Sequence, residues 1–174
     1  VTTEHDVVYT SREQIDIAEF EATKVQILEI SPDIVINATA YTAVDKAEKE
    51  SDIAFKVNAD ATSVISQALL KTNGKLLQIS TDFVFDGNKN IPYKPFDAKN
   101  PKNLYGLSKS LGEDSVINIL SKQNRSIILR TSWLIGPTGK NFLLTILNLL
   151  KTKNELKVVN DQFGSMTNTF SLSK

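Results

Sequence analysis

Short apolar runs alternate with longer amphipathic segments along this chain, and this alternation is the feature that most constrains its fold. The runs typical of strands are 6–9, 33–38, 75–81, 126–133 and 156–160. The segments typical of helices are 18–30, 51–72, the stretch after Pro101 and 141–151. Apolar strands separated by helices predict a parallel sheet with helices on both faces. We therefore expect an α/β, Rossmann-like, doubly wound fold.

The charge balance and the absent residue types exclude several function classes. Twenty basic residues offset twenty acidic ones, so there is no electrostatic reason to expect nucleic acid or an anionic membrane as a partner. Cysteine is absent, which excludes disulfides and thiolate metal sites. The only histidine, His5, is interpreted as a surface residue, and no metal is expected. No apolar run reaches the roughly 18 residues of a membrane span, and "VTTEHDVVYT" is not a signal peptide, so we expect a cytoplasmic protein.

The ends of the predicted strands indicate where a ligand would bind. In open parallel sheets, ligands lie beyond the carboxyl ends of the strands. Those ends are residues 37–41, 80–83 and 131–133. We expect the loops that follow them to form the site.

Tyr105 and Lys109 lie four residues apart in the predicted helix after Pro101 and share one face. Leucines 104, 107 and 111 point another way, so Tyr105 need not be a core residue. A nearby ammonium lowers the pKa of a phenol from about 10, which makes tyrosine a usable proton donor to a carbonyl oxygen. Thr81, at a strand end, could bind the same oxygen. Two alternatives stay open: a solvated helix face for the pair, and a strand-ending hydroxyl for Thr81.

A series of motifs in order resembles the extended short-chain dehydrogenase/reductases and, more narrowly, the dTDP-4-dehydrorhamnose reductase family among them. The motifs are "IDI" (15–17), "PDIVINATAYTAVDKAE" (32–48), "VNADAT" (57–62), "STDFVFDG" (80–87), "NLYGLSKSLGE" (103–113), "RTSWLIGPTGKNF" (130–142) and "NDQFGSMT" (160–167). They extend over nearly the whole chain, and their combination is specific although each piece is not.

The resemblance implies a reductase that converts the 4-keto group of dTDP-4-dehydro-6-deoxy-L-mannose into dTDP-L-rhamnose with a reduced nicotinamide cofactor. It implies that Tyr105 donates the proton, that Lys109 modifies its pKa and binds a ribose, and that Thr81 completes the catalytic set. The implied cofactor-binding residues are Arg12, Asp16, Ile17, Asn37, Ala38, Thr39, Ala40, Tyr41, Thr42, Ser80, Tyr105 and Lys109. The implied substrate-binding residues are Val44, Asp82, Phe83, Trp133, Asn141 and Gln162. For Trp133, a core aromatic at a strand end is the alternative.

Three positions refine this interpretation. Related 4,6-dehydratases carry an acid/base Asp-Glu pair after the threonine, whereas Phe83 cannot transfer a proton, which argues against a dehydratase. The usual reductase residue at position 83 is tyrosine, and Met166 stands where proline is usual. Arg12 follows the first predicted strand, where an arginine suits a ribose 2′-phosphate, so we expect NADPH, with NADH and an ordinary surface arginine as the alternatives.

The glycine-rich fingerprint of a pyrophosphate site is absent, because none of the seven glycines forms a strand–turn–helix unit of that kind. Relative to the family, the chain begins near the second strand and stops soon after "DQFG". We therefore expect residues 1–174 to be an incomplete NAD(P)-binding domain, with the substrate lobe beginning near 161–174. In the usual strand order 3-2-1-4-5-6 the first strand is central. Its loss predicts a gap between runs 6–9 and 33–38 on one side and run 75–81 on the other, with 33–38 counted as the third or fourth strand.

Two other functions stay open at this point. One is a non-catalytic nucleotide-binding regulatory subunit on the same fold, and the other is a different nucleotide-sugar reductase or epimerase. The complete set of Thr81, Tyr105 and Lys109 favours catalysis on a dTDP-sugar for the intact protein. We expect the 174-residue form to be weak or inactive, and a homodimer stays open.

Overall fold

The computed structural model describes residues 5–174, so the first four residues of the opening segment lie outside the described residues. The helices are α1 (Phe20–Ile30), α2 (Val44–Ala47), α3 (Ser51–Phe55), α4 (Ala61–Thr72), α5 (Leu104–Leu120), α6 (Phe142–Leu150) and α7 (Thr169–Leu172). The strands are β1 (Ile34–Asn37), β2 (Lys75–Thr81), β3 (Ser126–Thr131), β4 (Leu134–Ile135) and β5 (Thr167–Asn168). A π-helical turn (Lys56–Asp60) and 3₁₀ turns (Asp82–Val84 and Ser121–Gln123) complete the list. Within the described residues, no helix is both long and apolar enough to cross a membrane.

The chain divides into a larger unit that ends at Leu129 and a smaller one, Arg130–Lys174. The larger unit contains β1, β2 and the first four residues of β3, which form a sheet of order β1-β2-β3. β1 and β2 run parallel, with Ile34 opposite Lys75 and Asn37 opposite Gln78. The predicted α/β fold with a parallel sheet is therefore confirmed.

The predicted gap beside run 75–81 is wrong. Residues 34–37 pair directly with residues 75–78 as neighbouring strands. Helices α2 to α4 and the π-helical turn connect these strands. A long helical connection of this kind is what adjacent parallel strands require. This pairing agrees with counting run 33–38 as the fourth strand of the family order.

The core of the larger unit lies between the sheet and helices α1, α4 and α5. Its buried members are Ile27, Ile65, Ala68, Leu69, Leu76, Val116 and Leu120. Ile27 lies in the segment predicted as helix 18–30, Ile65, Ala68 and Leu69 in 51–72, and Leu76 in strand 75–81, while Val116 and Leu120 belong to α5. The 51–72 segment is not one regular helix, because the π-helical turn separates α3 from α4. Asn73, with φ of 61°, ends α4 in the left-handed conformation, as the Asn-Gly pair predicts.

The two faces of this sheet are not equally covered by helices. Ile34, Ile36 and Ile127 are 59%, 65% and 65% exposed. Alternate residues point to opposite faces of a strand, and Asn37, Leu76 and Gln78 are buried. Within the larger unit, the described helices therefore cover one face of the sheet.

The strands predicted at 6–9 and 156–160 are wrong, since both segments are irregular. Val8 and Val159 are exposed there. A strand needs a neighbour for its backbone hydrogen bonds, and neither segment pairs within the described residues. The strand predicted at 126–133 is confirmed as β3 but ends at Thr131, because Trp133 adopts a φ of 42°.

The smaller unit contains a second parallel pair, in which Leu134 of β4 lies opposite Thr167 of β5. Helix α6 confirms the prediction at 141–151. Asn141 caps it, because its side-chain oxygen accepts a hydrogen bond from the Leu144 amide at 3.0 Å. Gly136 allows α7 to approach β4, since a Cβ there would lie 2.6 Å from Thr169 Oγ1.

Candidate active site

The site begins at the carboxyl end of β2, where Thr81 is the last strand residue. Its hydroxyl accepts a hydrogen bond from the Phe83 amide at 3.2 Å and donates one to Asp82 Oδ1 at 3.1 Å. These contacts cap the 3₁₀ turn that follows the strand. They fix the Thr81 hydroxyl at the edge of the sheet where ligands bind in folds of this kind.

Helix α5 starts at a fixed position relative to this strand end. Asn103 caps it by accepting a hydrogen bond from the Gly106 amide at 2.7 Å, and Glu48 Oε1 accepts one from the Leu104 amide at 2.9 Å. A Cβ on Gly106 would lie 2.2 Å from the Phe83 carbonyl oxygen, so only glycine permits this close approach. The first turn of α5 therefore packs directly on the 3₁₀ turn.

This packing places Tyr105 beside Thr81. Tyr105 is 9% exposed, and its ring meets the Phe83 ring edge-on at a centroid distance of 5.7 Å. Burial raises the pKa of the phenol, a hydrogen bond with the Thr81 hydroxyl lowers it, and the Asp82 carboxylate raises it further, with a raised pKa as the result. The prediction of a lowered pKa for Tyr105 is therefore wrong for the protein without ligands, because burial outweighs the stabilisation of the phenolate.

The leucines of α5 point away from Tyr105 and Lys109, as predicted, but the tyrosine and lysine lie on the buried side. Leu107 and Leu111 are 37% and 41% exposed, whereas Tyr105 and Lys109 are buried. The face that carries the tyrosine and lysine packs against β2, and the leucine stripe faces outward. The alternative of a solvated face for Tyr105 and Lys109 is excluded by the same observation.

Lys109 is 4% exposed, and its ammonium donates a hydrogen bond to the Ile79 carbonyl oxygen at 2.8 Å. Burial lowers the pKa of Lys109 to about 8, and the Glu113 carboxylate acts in the opposite direction. The ammonium is thus held against β2, two residues before Thr81. The structure thus places Tyr105 beside Thr81 and Lys109 beside Ile79, at the end of β2.

Asn58 is a residue of this site that the sequence analysis did not identify. It lies buried in the π-helical turn, and its Nδ2 donates to Ser108 Oγ at 2.9 Å and to the Tyr41 carbonyl oxygen at 3.1 Å. Its Oδ1 accepts from the Tyr41 amide at 2.9 Å. Ser108 Oγ in turn donates to the Tyr105 carbonyl oxygen at 2.7 Å. Asn58 therefore joins the loop after β1 to the turn that carries Tyr105, and a polar residue beside the apolar positions of 51–72 was the signal for it.

The loop after β1 contains six of the predicted cofactor residues, 37–42. Asn37 is buried, donates to Gln78 Oε1 at 2.9 Å and accepts from Thr39 Oγ1 at 2.5 Å. Ala38, Thr39 and Thr42 are exposed, and Ala40 is half-buried. The Tyr41 hydroxyl donates to Glu50 Oε2 at 2.6 Å, which raises the pKa of Tyr41 to about 12. Three residues of this loop are thus exposed, whereas the hydroxyl of Tyr41 already has a partner.

The remaining predicted cofactor residues divide into two groups. Arg12 is exposed, and its Nε lies 3.2 Å from Asp16 Oδ2, while Ile17 packs against the core. A hydrogen bond from the Ala18 amide lowers the pKa of Asp16, and the nearby Arg12 guanidinium lowers it further. Ser80 is buried and donates to Glu113 Oε1 at 2.5 Å. Within residues 5–174, neither Arg12 nor Asp16 forms a hydrogen bond with Thr81, Tyr105 or Lys109.

The predicted substrate residues also lie in two places. Val44 and Phe83 pack in one apolar cluster with Tyr105. Asp82 lies between Thr81 and Phe83 in the chain, and burial raises its pKa. Trp133, Asn141 and Gln162 belong to the smaller unit, where the Trp133 ring lies 6.2 Å from that of Phe142 and Gln162 is exposed. No group of carboxylates and imidazole suited to a metal occurs among the described residues.

Comparisons with known proteins give this geometry a context. The chain is 38% identical over 170 residues to the spore coat polysaccharide biosynthesis protein SpsK of Bacillus subtilis, covering 98% of this chain and 59% of that protein. The crystal structure of a dTDP-4-dehydrorhamnose reductase from Clostridium acetobutylicum matches with a TM-score of 0.92 and 40% identity, over 98% of this chain and 60% of that one. A dTDP-4-dehydrorhamnose reductase from Bacillus anthracis, solved in complex with NADP, matches with a TM-score of 0.90 and 39% identity, over 97% of this chain and 59% of that one.

The chain therefore spans about three fifths of the length of these relatives, at 59%, 60% and 59%. Its structural neighbours share the Rossmann-like arrangement of strands and helices, which confirms the predicted fold class. The family model described as the RmlD substrate binding domain matches residues 1–174. On that match and on the fold, the chain belongs to the RmlD substrate-binding domain family.

Proposed function

We propose that the gene product that contains this chain reduces the 4-keto group of dTDP-4-dehydro-6-deoxy-L-mannose to give dTDP-L-rhamnose, with NADPH as the reductant. The observation that carries the proposal is the meeting of Thr81, Tyr105 and Lys109 at the carboxyl end of β2. Relatives that match nearly the whole chain are dTDP-4-dehydrorhamnose reductases, and the B. anthracis protein was solved with NADP. NADH is the alternative reductant.

The residues present suit a nicotinamide cofactor at two points. An ammonium has three donors, and Lys109 uses one on Ile79 within the described residues, so donors remain for a ribose hydroxyl. Residues 38, 39 and 42, which follow β1, are exposed and so open to a ligand. When bound, the reduced nicotinamide would supply the hydride.

In the proposed mechanism, Tyr105 gives its phenolic proton to the sugar's carbonyl oxygen as negative charge develops there. A raised pKa keeps this proton on the phenol until the oxygen becomes basic. The Thr81 hydroxyl would turn its proton from Asp82 Oδ1 to the same oxygen, and Lys109 would hold the ribose so that the reacting groups are aligned. Phe83 and Val44 pack around the phenol and exclude water from it.

The location and organisation of the protein form part of the proposal. We propose a cytoplasmic protein that acts on a small dTDP-sugar and assembles as a homodimer. We also propose that residues 1–174 form the cofactor-binding layer and that the substrate lobe starts near 161–174. The apolar cluster around Tyr105 supports the first assignment, since it lies wholly in the larger unit.

The proposal is tested with the full-length gene product, NADPH and the 4-keto dTDP-sugar, by following the absorbance of the reduced cofactor. We expect turnover, and a loss of at least about a hundredfold in kcat for Tyr105→Phe, because general-acid catalysis is removed. Tyr93→Phe is the matched control, since Tyr93 bonds Asp86 in a separate loop, and its kcat should stay near that of the unmodified protein.

Two outcomes would count against the proposal. Unchanged turnover in Tyr105→Phe would remove this residue from the mechanism. Tight NADPH binding without reduction of the sugar would favour the non-catalytic subunit or a different nucleotide-sugar substrate.

A further inference from the structure

A buried carboxylate lies behind the catalytic pair on the same face of α5. Glu113 is 1% exposed and follows Lys109 by one helical turn and Tyr105 by two. An ionised carboxylate in a protein interior is costly unless it is paired and hydrogen-bonded. Glu113 is not part of the mechanism above, so its burial there needs a reason.

Glu113 is held on both of its oxygens. Ser80 Oγ donates to Oε1 at 2.5 Å, and the ammonium of Lys99 lies 3.4 Å from Oε2. Lys99 also donates to Asp114 Oδ1 at 2.7 Å and to the Ser110 carbonyl oxygen at 2.9 Å. These contacts favour the charged carboxylate and fix its position relative to α5 and β2.

Consecutive residues at the end of β2 bind this face of α5 in order. The Ile79 carbonyl oxygen accepts from Lys109, Ser80 donates to Glu113, and Thr81 interacts with Tyr105. The strand therefore holds the acid, the ammonium and the buried carboxylate in one fixed array. Lys109 and Glu113 both lie on α5 and bond to adjacent residues of β2. A substitution at Glu113 would therefore change the surroundings of Lys109.

The charges around Lys109 make Glu113 significant. Burial disfavours the ammonium, and the Glu113 carboxylate opposes that effect. Lys99 and Asp114 both lie near the far side of Glu113, and Asp82 faces Tyr105 from the 3₁₀ turn. Glu113 is thus the anion that acts on Lys109 from within the helix.

We propose that Glu113 is a positioning residue that keeps Lys109 charged and seated against Ile79, so that Lys109 can serve the reduction. This inference rests on the proposed function for its catalytic consequence but not for its electrostatic one. Glu113 itself touches neither substrate nor cofactor in this scheme and acts through Lys109.

The test compares Glu113→Gln with the unmodified full-length gene product. Carbon-13 NMR of ε-labelled lysines follows the titration of Lys109, whose signal is identified by its loss in Lys109→Met. We expect Lys109 in Glu113→Gln to titrate about 1 pH unit lower, because an opposite charge has been removed. The alkaline limb of the kcat profile should move the same way, while KM for the sugar changes little.

Asp114→Asn is the matched control, since Asp114 binds the same Lys99 but is about half exposed. It should leave the Lys109 titration in place, and Glu113→Asp, which keeps the charge, should restore most of the normal profile. An unshifted Lys109 titration in Glu113→Gln, or an equal shift in Asp114→Asn, would overturn the inference.

The readouts separate this inference from the proposed function. Absence of turnover in the unmodified protein would refute the proposed function, while the NMR titration would still decide the role of Glu113. If Glu113→Gln does not fold, Glu113→Met takes its place, because an apolar side chain of similar volume removes the charge without leaving a buried amide unpaired. We expect the same downward shift of the Lys109 titration there, and no shift would overturn the inference.

Discussion

At the scale of single residues, burial dominates the chemistry of the site. Tyr105 and Lys109 are both almost fully enclosed, and burial is the largest influence on the pKa of each. It raises the pKa of the phenol and lowers that of the amine, so both groups are pushed toward their neutral forms. Thr81 and Glu113 oppose this effect of burial: the Thr81 hydroxyl lowers the pKa of Tyr105, and the Glu113 carboxylate raises that of Lys109.

The lowered pKa of Lys109 predicts how stability changes with pH. Its pKa falls from 10.5 to about 8 on folding, so between these values the unfolded chain binds more protons than the folded one. The free energy of unfolding should therefore rise from pH 8 to pH 10, by about 2 to 3 kcal/mol for this group. Urea denaturation across that range should show the rise in the unmodified protein and its loss in Lys109→Met.

Lys122→Met is the control for this measurement, because Lys122 is exposed and its substitution should leave the rise intact. Tyr105, with a raised pKa, acts in the opposite direction above pH 10, so the comparison stops there. A curve that is flat in the unmodified protein would show that Lys109 is not buried in solution as the structure has it.

At the scale of elements, two glycines allow α5 to pack closely against the backbone of neighbouring segments. A Cβ on Gly112 would lie 2.3 Å from the Asn58 carbonyl oxygen, and one on Gly106 would lie 2.2 Å from that of Phe83. The helix thus rests on the backbone of the π-helical turn at one point and of the 3₁₀ turn at the other. This contact lets Asn58 reach Ser108 and lets Tyr105 reach Thr81.

We expect Gly112→Ala to destabilise the protein although alanine is the better helix former. Alanine would gain about 1 kcal/mol in helix propensity. A methyl group against a fixed carbonyl should cost about 1 to 3 kcal/mol or more, because backbone must move to admit it. Asn118→Ala on the exposed side of α5 is the control and should be neutral or slightly stabilising, and equal effects of both substitutions in urea denaturation would refute the close approach.

At the scale of the whole molecule, one face of the three-stranded sheet lacks a helical cover within the larger unit. β1 is an edge strand, and its Ile34 and Ile36 are among the exposed apolar side chains. Exposed apolar edge strands promote association between chains. Tyr105 and Lys109 lie on α5, which packs against β2 on the covered side, and both are buried there.

We expect the 174-residue chain studied alone to self-associate through this face. Ile36→Lys should lower the weight-average mass in sedimentation experiments at tens of micromolar without changing the circular dichroism spectrum, because a charge on the edge opposes pairing. Asp33→Lys, at a polar exposed position just before β1, is the control for added charge. Equal masses for Ile36→Lys and the unmodified chain would exclude this face as the contact.

The sequence by itself determined the periodic elements and the residue types of the site. Apolar runs at 33–38, 75–81 and 126–133 predict β1, β2 and β3, because a buried parallel strand must be apolar along its length. The order of Thr81, Tyr105 and Lys109 predicts one site, because strand ends and the following helices meet at the same edge of such a sheet. These inferences depend only on local pattern and topology.

Only the tertiary structure decided which face of α5 is buried, which strands pair and how the acid and the amine titrate. Tyrosine and lysine displace a leucine stripe from the interior because β2 offers them a carbonyl and a hydroxyl, which no local pattern reveals. The runs at 6–9 and 156–160 have strand composition but lack a partner within the described residues. Glu113 and Asn58 acquire their roles from contacts 33 and 50 residues away in the chain, and such contacts exist only once the chain is folded.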